Sequence, residues 1–456
     1  MALLVAAFYG FPGKKLIVIG VTGTKGKSTT SHMIWHILQS AGFKTGLLST
    51  ALWGINDKTW LNNLKMTTPS RVQLQKVLRR MVQAGCYYAV VETSSEALAQ
   101  FRHLGLNYQA AVFTNLTPEH IEAHGSFTKY RAAKGRLFKL LGSRVKGVGS
   151  RISVVNLDDI EADYFLKFPA AEKIGYGLKP VYPDKKTDKL VTGEILEITP
   201  SSVVFKIGDE KINLPVGGEF NIKNALAAVA CVSAFDIDFK TAALALQNFS
   251  GTPGRMEFIR LRPRLEDDNL IGTKADPERV ERVEGYATAD FVKSEQKFDV
   301  VVDYAHTAES LEEVYKLLKL HPTPHTLHPN KLIVVLGSCG GGRDKAKRPI
   351  LGQLAGKYAD VVFITNEDPY DEDPRVIIEQ VAEGVKIAGK ILGENLFIVS
   401  DRREAIKQAL NKAETGDTVV ITGKGSEQWL CVARDQKIPW DDREVTKEEL
   451  KKLLNL

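Results

Sequence analysis

The chain has 456 residues, 44% of them hydrophobic and 25% charged, which suits a soluble globular protein of about two to four domains. Its net charge of +6 is spread over interspersed lysines and acids, which excludes a concentrated nucleic-acid-binding patch. The four cysteines, Cys86, Cys231, Cys339 and Cys431, lie too far apart for a metal knuckle or a disulfide framework and point to a reducing cytoplasm.

The first 12 residues are apolar. They are too short to span a bilayer and lack the basic and cleavage features of a signal peptide. They read as a leading segment packed on the first strand, or as the remnant of a lost N-terminal region. Residues 16–21 form an apolar, β-branched run, the pattern of a buried strand. The loop Gly23-Thr24-Lys25-Gly26 follows, then Lys27-Ser28-Thr29, then a helix to about residue 41. This strand, glycine loop and helix make a phosphate cradle: glycines turn backbone N–H groups toward phosphate oxygens, and the helix N-terminus adds its positive dipole end. In this geometry Lys27 pairs with the β- and γ-phosphates, and the hydroxyl of Ser28 or Thr29 holds Mg²⁺.

Residues 44–49 read as a second strand, 64–70 as a loop, 71–84 as a helix and 87–92 as a strand ending in Glu92-Thr-Ser-Ser-Glu96. Another strand, 110–114, runs into Asn115 to His120. A helix at 130–140 precedes the strand 152–156. Strands alternating with helices imply a parallel sheet with right-handed crossovers, whose ligands bind beyond the carboxyl ends of the strands. The phosphate loop, Glu92, the 115–124 segment and residues 156–159 all fall there. Short alternating runs at 203–207 and 211–214 mark a β-rich edge. Phe220-Asn-Ile-Lys-Asn224 opens an alanine-rich helix, and Gly251-Thr-Pro-Gly-Arg-Met-Glu257 reads as an interdomain hinge. Residues 262–297 are charged and aperiodic, a solvated insertion. Apolar runs at 300–303, 332–337, 361–365, 396–399 and 418–421 then form a second βα series. The fold class is therefore α/β, with a central P-loop-type parallel-sheet ATPase domain and a C-terminal doubly wound, Rossmann-like domain. A short segment (1–14) leads into the two domains (15–250 and 251–456).

Taken together, Thr22-Gly-Thr-Lys-Gly-Lys-Ser28, Thr67-Thr-Pro69, Glu92-Thr-Ser-Ser95, Thr114-Asn-Leu116 with His120, Tyr130-Arg-Ala-Ala-Lys134, Asn221 to Asn224, Gly251-Thr-Pro-Gly-Arg255, Asp303-Tyr-Ala-His306 and Gly341-Gly-Arg-Asp344 occur in this order. The pattern resembles the Mur ligase superfamily, and within it the MurE type, over about residues 15–430. The resemblance implies an ATP-dependent ligase of peptidoglycan assembly, which joins a UDP-N-acetylmuramoyl-peptide carboxylate to a free amino acid through an acyl phosphate. Joining a carboxylate to an amine needs that activation in any case, and positioning with charge neutralisation does most of the work. The resemblance further implies two Mg²⁺ sites served by Ser28, Glu92, His120 and a CO₂-derived carbamate on Lys134. It gives the peptide-nucleotide to Thr67, Thr68, Ser94, Gln100 and Arg102. Nucleotide contacts fall to Asn224 and His306, hinge and phosphate-side positions to Arg255 and Asp303. Arg343 matches the residue that grips the carboxylate of the incoming amino acid, and Glu427, in Gly423-Lys-Gly-Ser-Glu427, a contact to its far end. Without the resemblance, Glu92 is a solvated strand-end acid and Lys134 one of many surface lysines.

This chain departs from the pattern in places. The phosphate-loop strand starts at about residue 15, where MurE enzymes first carry an N-terminal UDP-holding domain of roughly a hundred residues. Glu96 and Ser426 stand where the family usually has His. The Asp-Asn-Pro-Arg signature of diaminopimelate enzymes is replaced by Glu367-Asp368-Pro369-Tyr370. With the signature arginine gone and an acidic stretch around Asp368 joined by Glu427, the sequence favours an amino acid with a distal ammonium, such as L-lysine; a solvated helix-capping loop, or Arg375 replacing the missing cation, is the alternative. Two other readings stay open: a folylpolyglutamate synthetase-like or MurF-like ligase, and a non-catalytic ATP-binding partner. No segment is expected to cross a membrane.

Overall fold

The computed structural model describes residues 2–119, 124–142, 151–180, 182–261, 296–320, 330–342 and 344–456. His120, Arg343 and nearly all of the charged insertion, 262–295, lie outside the described residues.

The first sheet contains β1 (Ile17–Thr22), β2 (Thr45–Leu48), β3 (Leu52–Ile55), β4 (Lys58–Leu61), β5 (Tyr88–Glu92), β6 (Tyr108–Phe113), β7 (Ile152–Asn156), β8 (Glu172–Gly177), β9 (Lys189–Ile198), β10 (Val203–Ile207) and β11 (Glu210–Leu214). Their order across the sheet is β11-β10-β9-β8-β7-β6-β1-β5-β2-β3-β4. From β9 to β2 the pairing is parallel; β10 and β11 at one edge and β3 and β4 at the other are antiparallel. Helices α1 (Ala2–Phe8), α2 (Lys27–Ser40), α3 (Arg71–Gln83), α4 (Ser95–Ala99), α5 (Phe127–Leu141), α6 (Ala162–Leu166), α7 (Glu219–Ser233) and α8 (Phe239–Gln247) accompany it. Strand alternation divides β1 between two cores. Ile19 and Val21 pack with residues of α2 and α7 on one face, and Val18 with residues of α3 and α5 on the other. A strand apolar on both sides is what a central parallel position demands.

The second sheet holds β12 (Glu257–Phe258), β13 (Asp299–Asp303), β14 (Leu332–Leu336), β15 (Val361–Ile364), β16 (Leu396–Ile398) and β17 (Thr418–Thr422), in the order β12-β13-β17-β14-β15-β16. Only the β12–β13 pairing is antiparallel. Helices α9 (Ala308–Leu320), α10 (Lys347–Tyr358) and α11 (Pro374–Ile387) cover one face, and α12 (Arg402–Lys412) with α13 (Asp442–Leu453) the other. A hairpin, β18 (Trp429–Val432) and β19 (Gln436–Pro439), follows β17.

The α/β reading holds for both sheets. Two local features go beyond it. The leading segment is a short helix that packs on α3, followed by a turn at Pro12–Lys14 that packs on α3 and on β1. The β3–β4 hairpin, unexpected from the sequence, turns through Asn56 at φ 54°; an Asn-Asp pair between two tryptophan-bearing runs is the hairpin signal that identifies it. The 251–257 segment is tied to the end of β13 and within itself. Met256 N donates to Asp303 Oδ2 at 2.6 Å and Gly254 N to Glu257 Oε2 at 2.7 Å. Gly254 has φ 65°, and a Cβ there would stand 2.1 Å from Ser426 N, so both its conformation and its closeness to the 423–427 loop require glycine.

Candidate active site

The phosphate loop joins the end of β1 to the start of α2. Gly26 caps α2 at φ 76°, with the side-chain oxygen of Asn224 2.2 Å from where a Cβ would be. Asn224 Oδ1 accepts from Thr30 Oγ1 at 3.2 Å, so α7 is tied to the first turn of α2. Thr29 is buried in that same turn. Thr24 N donates to Asn115 O and Lys25 N to Asn115 Oδ1, both at 2.8 Å, which holds the loop against the end of β6.

Two ammonium groups meet at this loop. Lys27 Nζ donates to Thr24 O at 2.8 Å, and Lys134 Nζ, from α5, to Gly23 O at 2.6 Å. Lys134 is 1% exposed. Burial holds its ammonium well below the ordinary lysine range, and Lys27 pushes it further down. Lys27 is lowered too, by burial first, with Glu92 and Glu119 opposing. Both ammoniums rest on neutral carbonyls. Tyr130 joins the cluster: its hydroxyl is 3.1 Å from Thr24 Oγ1, and its ring lies under Lys134 at 4.5 Å.

Glu92 ends β5 beside the loop and is 1% exposed. Ser28 Oγ donates to its Oε2 at 2.9 Å, and Thr50 N to the same oxygen at 2.7 Å. Thr50 Oγ1 donates to Glu92 Oε1 at 3.0 Å and lies 2.9 Å from Thr67 Oγ1. A hydroxyl and a carboxylate side by side at a phosphate loop are hard oxygen donors of the kind Mg²⁺ takes alongside nucleotide phosphates. The donor chemistry therefore fits a magnesium–nucleotide site.

Thr67, Thr68, Ser94, Gln100 and Arg102 form a second layer on the same strand end. Thr68 Oγ1 donates to Glu92 O at 2.9 Å and accepts from Ser94 N at 3.1 Å. Arg102 Nη1 donates to Thr68 O at 2.9 Å, and its Nη2 to Gln100 Oε1 at 2.6 Å. Thr67, Thr68, Ser94, Gln100 and Arg102 are thus linked, directly or through one another, to the strand end at Glu92.

Glu119 is the acid that sequence reasoning passed over, although it lies in the strand-end cluster 115–124. One of its side-chain oxygens is buried with no hydrogen-bond partner among the described residues. Burial raises its carboxyl above the usual range, against a hydrogen bond from Thr307 and the fields of Lys25 and Lys27. It thereby connects the phosphate loop to the start of α9. Lys25 adds a second link, 3.7 Å from Glu313.

In the C-terminal half, Asp303 is buried between hinge and loop, accepting from Met256 N and from Ala305 N at 2.7 Å. Burial raises its carboxyl, with Arg255 opposing. Arg255 lies 4.0 Å over the Tyr304 ring, and His306 Nδ1 is 2.8 Å from Tyr304 O. Gly423, at φ 111°, donates its N–H to Asp303 O at 3.2 Å.

The acidic stretch is not open to an ammonium as the sequence suggested. Asp368 is 2% exposed. Lys424 Nζ donates to both its oxygens at 3.0 Å and to Glu427 Oε2 at 2.9 Å. Lys65, from the middle region, reaches Asp368 Oδ2 at 2.5 Å and Glu427 Oε2 at 3.1 Å. Tyr304 OH donates to Glu427 Oε1 at 3.3 Å. Two carboxylates face two ammoniums, so an incoming ammonium meets acids already paired with Lys65 and Lys424. Tyr370, at φ 52°, pairs its N–H with Cys431 O at 3.1 Å. Arg375 lies exposed in the first turn of α11.

The phosphate loop and the charge cluster of Lys65, Asp368, Lys424 and Glu427 lie on two α/β sheets, an architecture that other proteins share. The Mur ligase middle domain matches residues 21–232, and the Mur ligase glutamate ligase domain residues 289–425. The UDP-N-acetylmuramoyl-L-alanyl-D-glutamate–2,6-diaminopimelate ligase of Geobacillus thermodenitrificans is 37% identical, over 99% of this chain and 82% of that protein. The chain belongs to the Mur ligase family. A UDP-N-acetylmuramyl-tripeptide synthetase of Roseiflexus is 34% identical over 99% of this chain and 82% of its own length. Among solved structures, a UDP-N-acetylmuramoyl-L-alanyl-D-glutamate–2,6-diaminopimelate ligase aligns at TM-score 0.59 with 29% identity, over 96% of this chain and 79% of that one. The Mycobacterium tuberculosis folylpolyglutamate synthase, solved with ADP and AMPPCP, aligns at TM-score 0.62 with 14% identity, over 100% of this chain and 95% of that one, a likeness of fold. Among the described residues of this Mur ligase, no helix is long and apolar enough to cross a membrane.

Proposed function

We propose that this chain is a cytoplasmic, ATP-dependent ligase of peptidoglycan synthesis. It joins the carboxylate of a UDP-N-acetylmuramoyl-peptide to the amine of an amino acid with an ammonium at its far end, a class that includes L-lysine and 2,6-diaminopimelate. Residues 15–250 serve as the ATP-binding domain and 251–456 as the amino-acid domain.

One observation carries this reading: the carboxylate of Glu92 takes the phosphate-loop hydroxyl of Ser28, while its backbone carbonyl takes Thr68 of the acceptor cradle. A phosphate donor at the loop and a carboxylate at the cradle would meet across one residue. Proximity of that kind is a large share of catalysis in a two-substrate transfer. Lys27 swings from Thr24 O onto the transferring phosphoryl group and neutralises the charge that develops there. Arg102 and the two threonines orient the acceptor carboxylate. Asn224 braces α2, while Arg255, Asp303 and His306 bring the C-terminal half onto the nucleotide. Arg343, with Gly423, Asp368, Tyr370 and Glu427, receives the amino acid.

Mg²⁺ held by Ser28 and Glu92, and at a second site by His120 and a carbamate on Lys134, would offset the crowding of phosphate and carboxylate charge. The environment of Lys134 supports the carbamate. A buried, depressed lysine presents the neutral amine that attacks CO₂, giving a carbamate anion and releasing one proton. The field of Lys27, which opposes an ammonium at Lys134, favours that anion.

The test is phosphate release measured with paired acceptors and amino acids. Release that needs ATP, a muramoyl-peptide nucleotide and a diamino acid together is expected. Release with a folate acceptor and glutamate instead would move the chain to the folylpolyglutamate branch, and none with any pair would leave a binding protein.

A further inference from the structure

The loop at residues 62–68 is built to deliver one ammonium across to the C-terminal half. Asn62 Nδ2 donates to Ser49 O at 3.0 Å and to Met66 O at 2.9 Å, while its Oδ1 accepts from Leu64 N at 2.9 Å. Trp429 Nε1, from β18, donates to Asn63 O at 2.9 Å. Between these ties Lys65 is held at φ 51°, a left-handed conformation that an L-residue adopts against its steric preference. From there its side chain reaches Asp368 and Glu427.

The four charges are not equivalent. Lys424 and Asp368 are sealed, with side chains 0% and 3% exposed, whereas Lys65 and Glu427 are 12% and 20% exposed. The pair a ligand can reach is Lys65 and Glu427, one cation and one anion 3.1 Å apart. With Lys65 the quartet is neutral; without it, one negative charge is left over. A lone ammonium, the end of lysine, suits the second condition. A far end carrying ammonium and carboxylate on one carbon, as in 2,6-diaminopimelate, needs one partner of each sign, which is the first condition. Tyr370 stands where diaminopimelate enzymes place an arginine, and its hydroxyl supplies no charge.

We propose that Lys65 is the specificity-determining cation of the amino-acid pocket: it takes the far carboxylate of the incoming amino acid, in place of the guanidinium that Tyr370 lacks, while Glu427 takes the far ammonium. The inference rests on the ligase reading above. It selects 2,6-diaminopimelate over L-lysine, and it assigns the choice to a residue of the domain that binds ATP.

The experiment compares kcat/KM for 2,6-diaminopimelate and L-lysine with one acceptor, in the full chain and in Lys65→Met and Lys65→Arg. The wild type is expected to favour 2,6-diaminopimelate by about tenfold or more, the scale of one charge-assisted partner. Lys65→Met should cut that ratio about tenfold, and Lys65→Arg should keep it. A wild-type preference for L-lysine would overturn the inference. So would an equal loss with both amino acids in Lys65→Met, since a residue that only holds the two halves together lowers both alike. Absence of turnover with either amino acid in the wild type would instead remove the ligase reading and this inference with it.

Discussion

The phosphate corner and the amino-acid pocket handle buried charge in opposite ways. At the corner, Lys27 and Lys134 rest on the carbonyls of Thr24 and Gly23, and burial lowers both ammoniums. At the pocket, Lys65 and Lys424 are locked between Asp368 and Glu427. Burial works against Lys65 and Lys424 as well, but the two carboxylates outweigh it and hold both above their ordinary range. A buried cation without an anion is costly, and a ligand that brings one recovers the cost. At the corner, burial outweighs the fields of Glu92 and Glu119 on both ammoniums, an imbalance that an added anion would relieve. The pocket is already neutral, so it admits only a ligand that replaces what it displaces.

The largest expected effects fall at the corner. Lys27→Ala should lower ATP turnover by about 10²-fold or more, the scale of losing one preorganised electrostatic partner; turnover within threefold of wild type in a folded variant would break the assignment. Lys134→Ala should be similarly impaired, with partial recovery in a small carboxylate such as acetate, and full activity in CO₂-depleted buffer would exclude the carbamate.

At the pocket the expected effect is on stability. Lys424→Met leaves Asp368 and Glu427 sharing one ammonium and should cost about 3 kcal/mol in urea unfolding, the low end for breaking a buried pair. Adding Asp368→Asn should recover part of the loss by removing the surplus charge. An additive double mutant would mean that the quartet is not coupled.

The comparison is sharpened by pH. A lysine lowered in the folded chain binds fewer protons there than in the unfolded chain, over the window between its depressed value and the ordinary 10.5. Stability of the ligand-free protein with Lys134 unmodified, in CO₂-depleted buffer, should therefore rise with pH toward that value. Lys134→Met should flatten the rise in a series of thermal melts. The smallest effect is expected at the exposed Lys25–Glu313 contact, where Glu313→Gln should change stability by less than about 1 kcal/mol.

The phosphate site was legible in the sequence because its chemistry is contiguous. A β-branched strand, two glycines and Lys27-Ser28-Thr29 set backbone donors and side chains within one turn of each other. Both sheets were legible for a related reason, since apolar runs bounded by turns report burial on two faces. Thr67, Thr68, Ser94, Gln100 and Arg102 lie together because their short motifs sit at neighbouring strand ends. The β3–β4 hairpin was missed because four-residue strands carry too few positions for periodicity to register. The pairing of the acidic stretch was not legible for a different reason. The acids around Asp368 and Glu427 are plain in the sequence, but their partner Lys65 lies 303 residues before Asp368. Hydrophobic patterning and glycine's backbone freedom act over a few residues, so the sequence by itself determined the strands, the loop and the class of fold. Ion pairing acts through space, so which acids stay open to a ligand was decided only when the two sheets packed and Lys65 crossed between them.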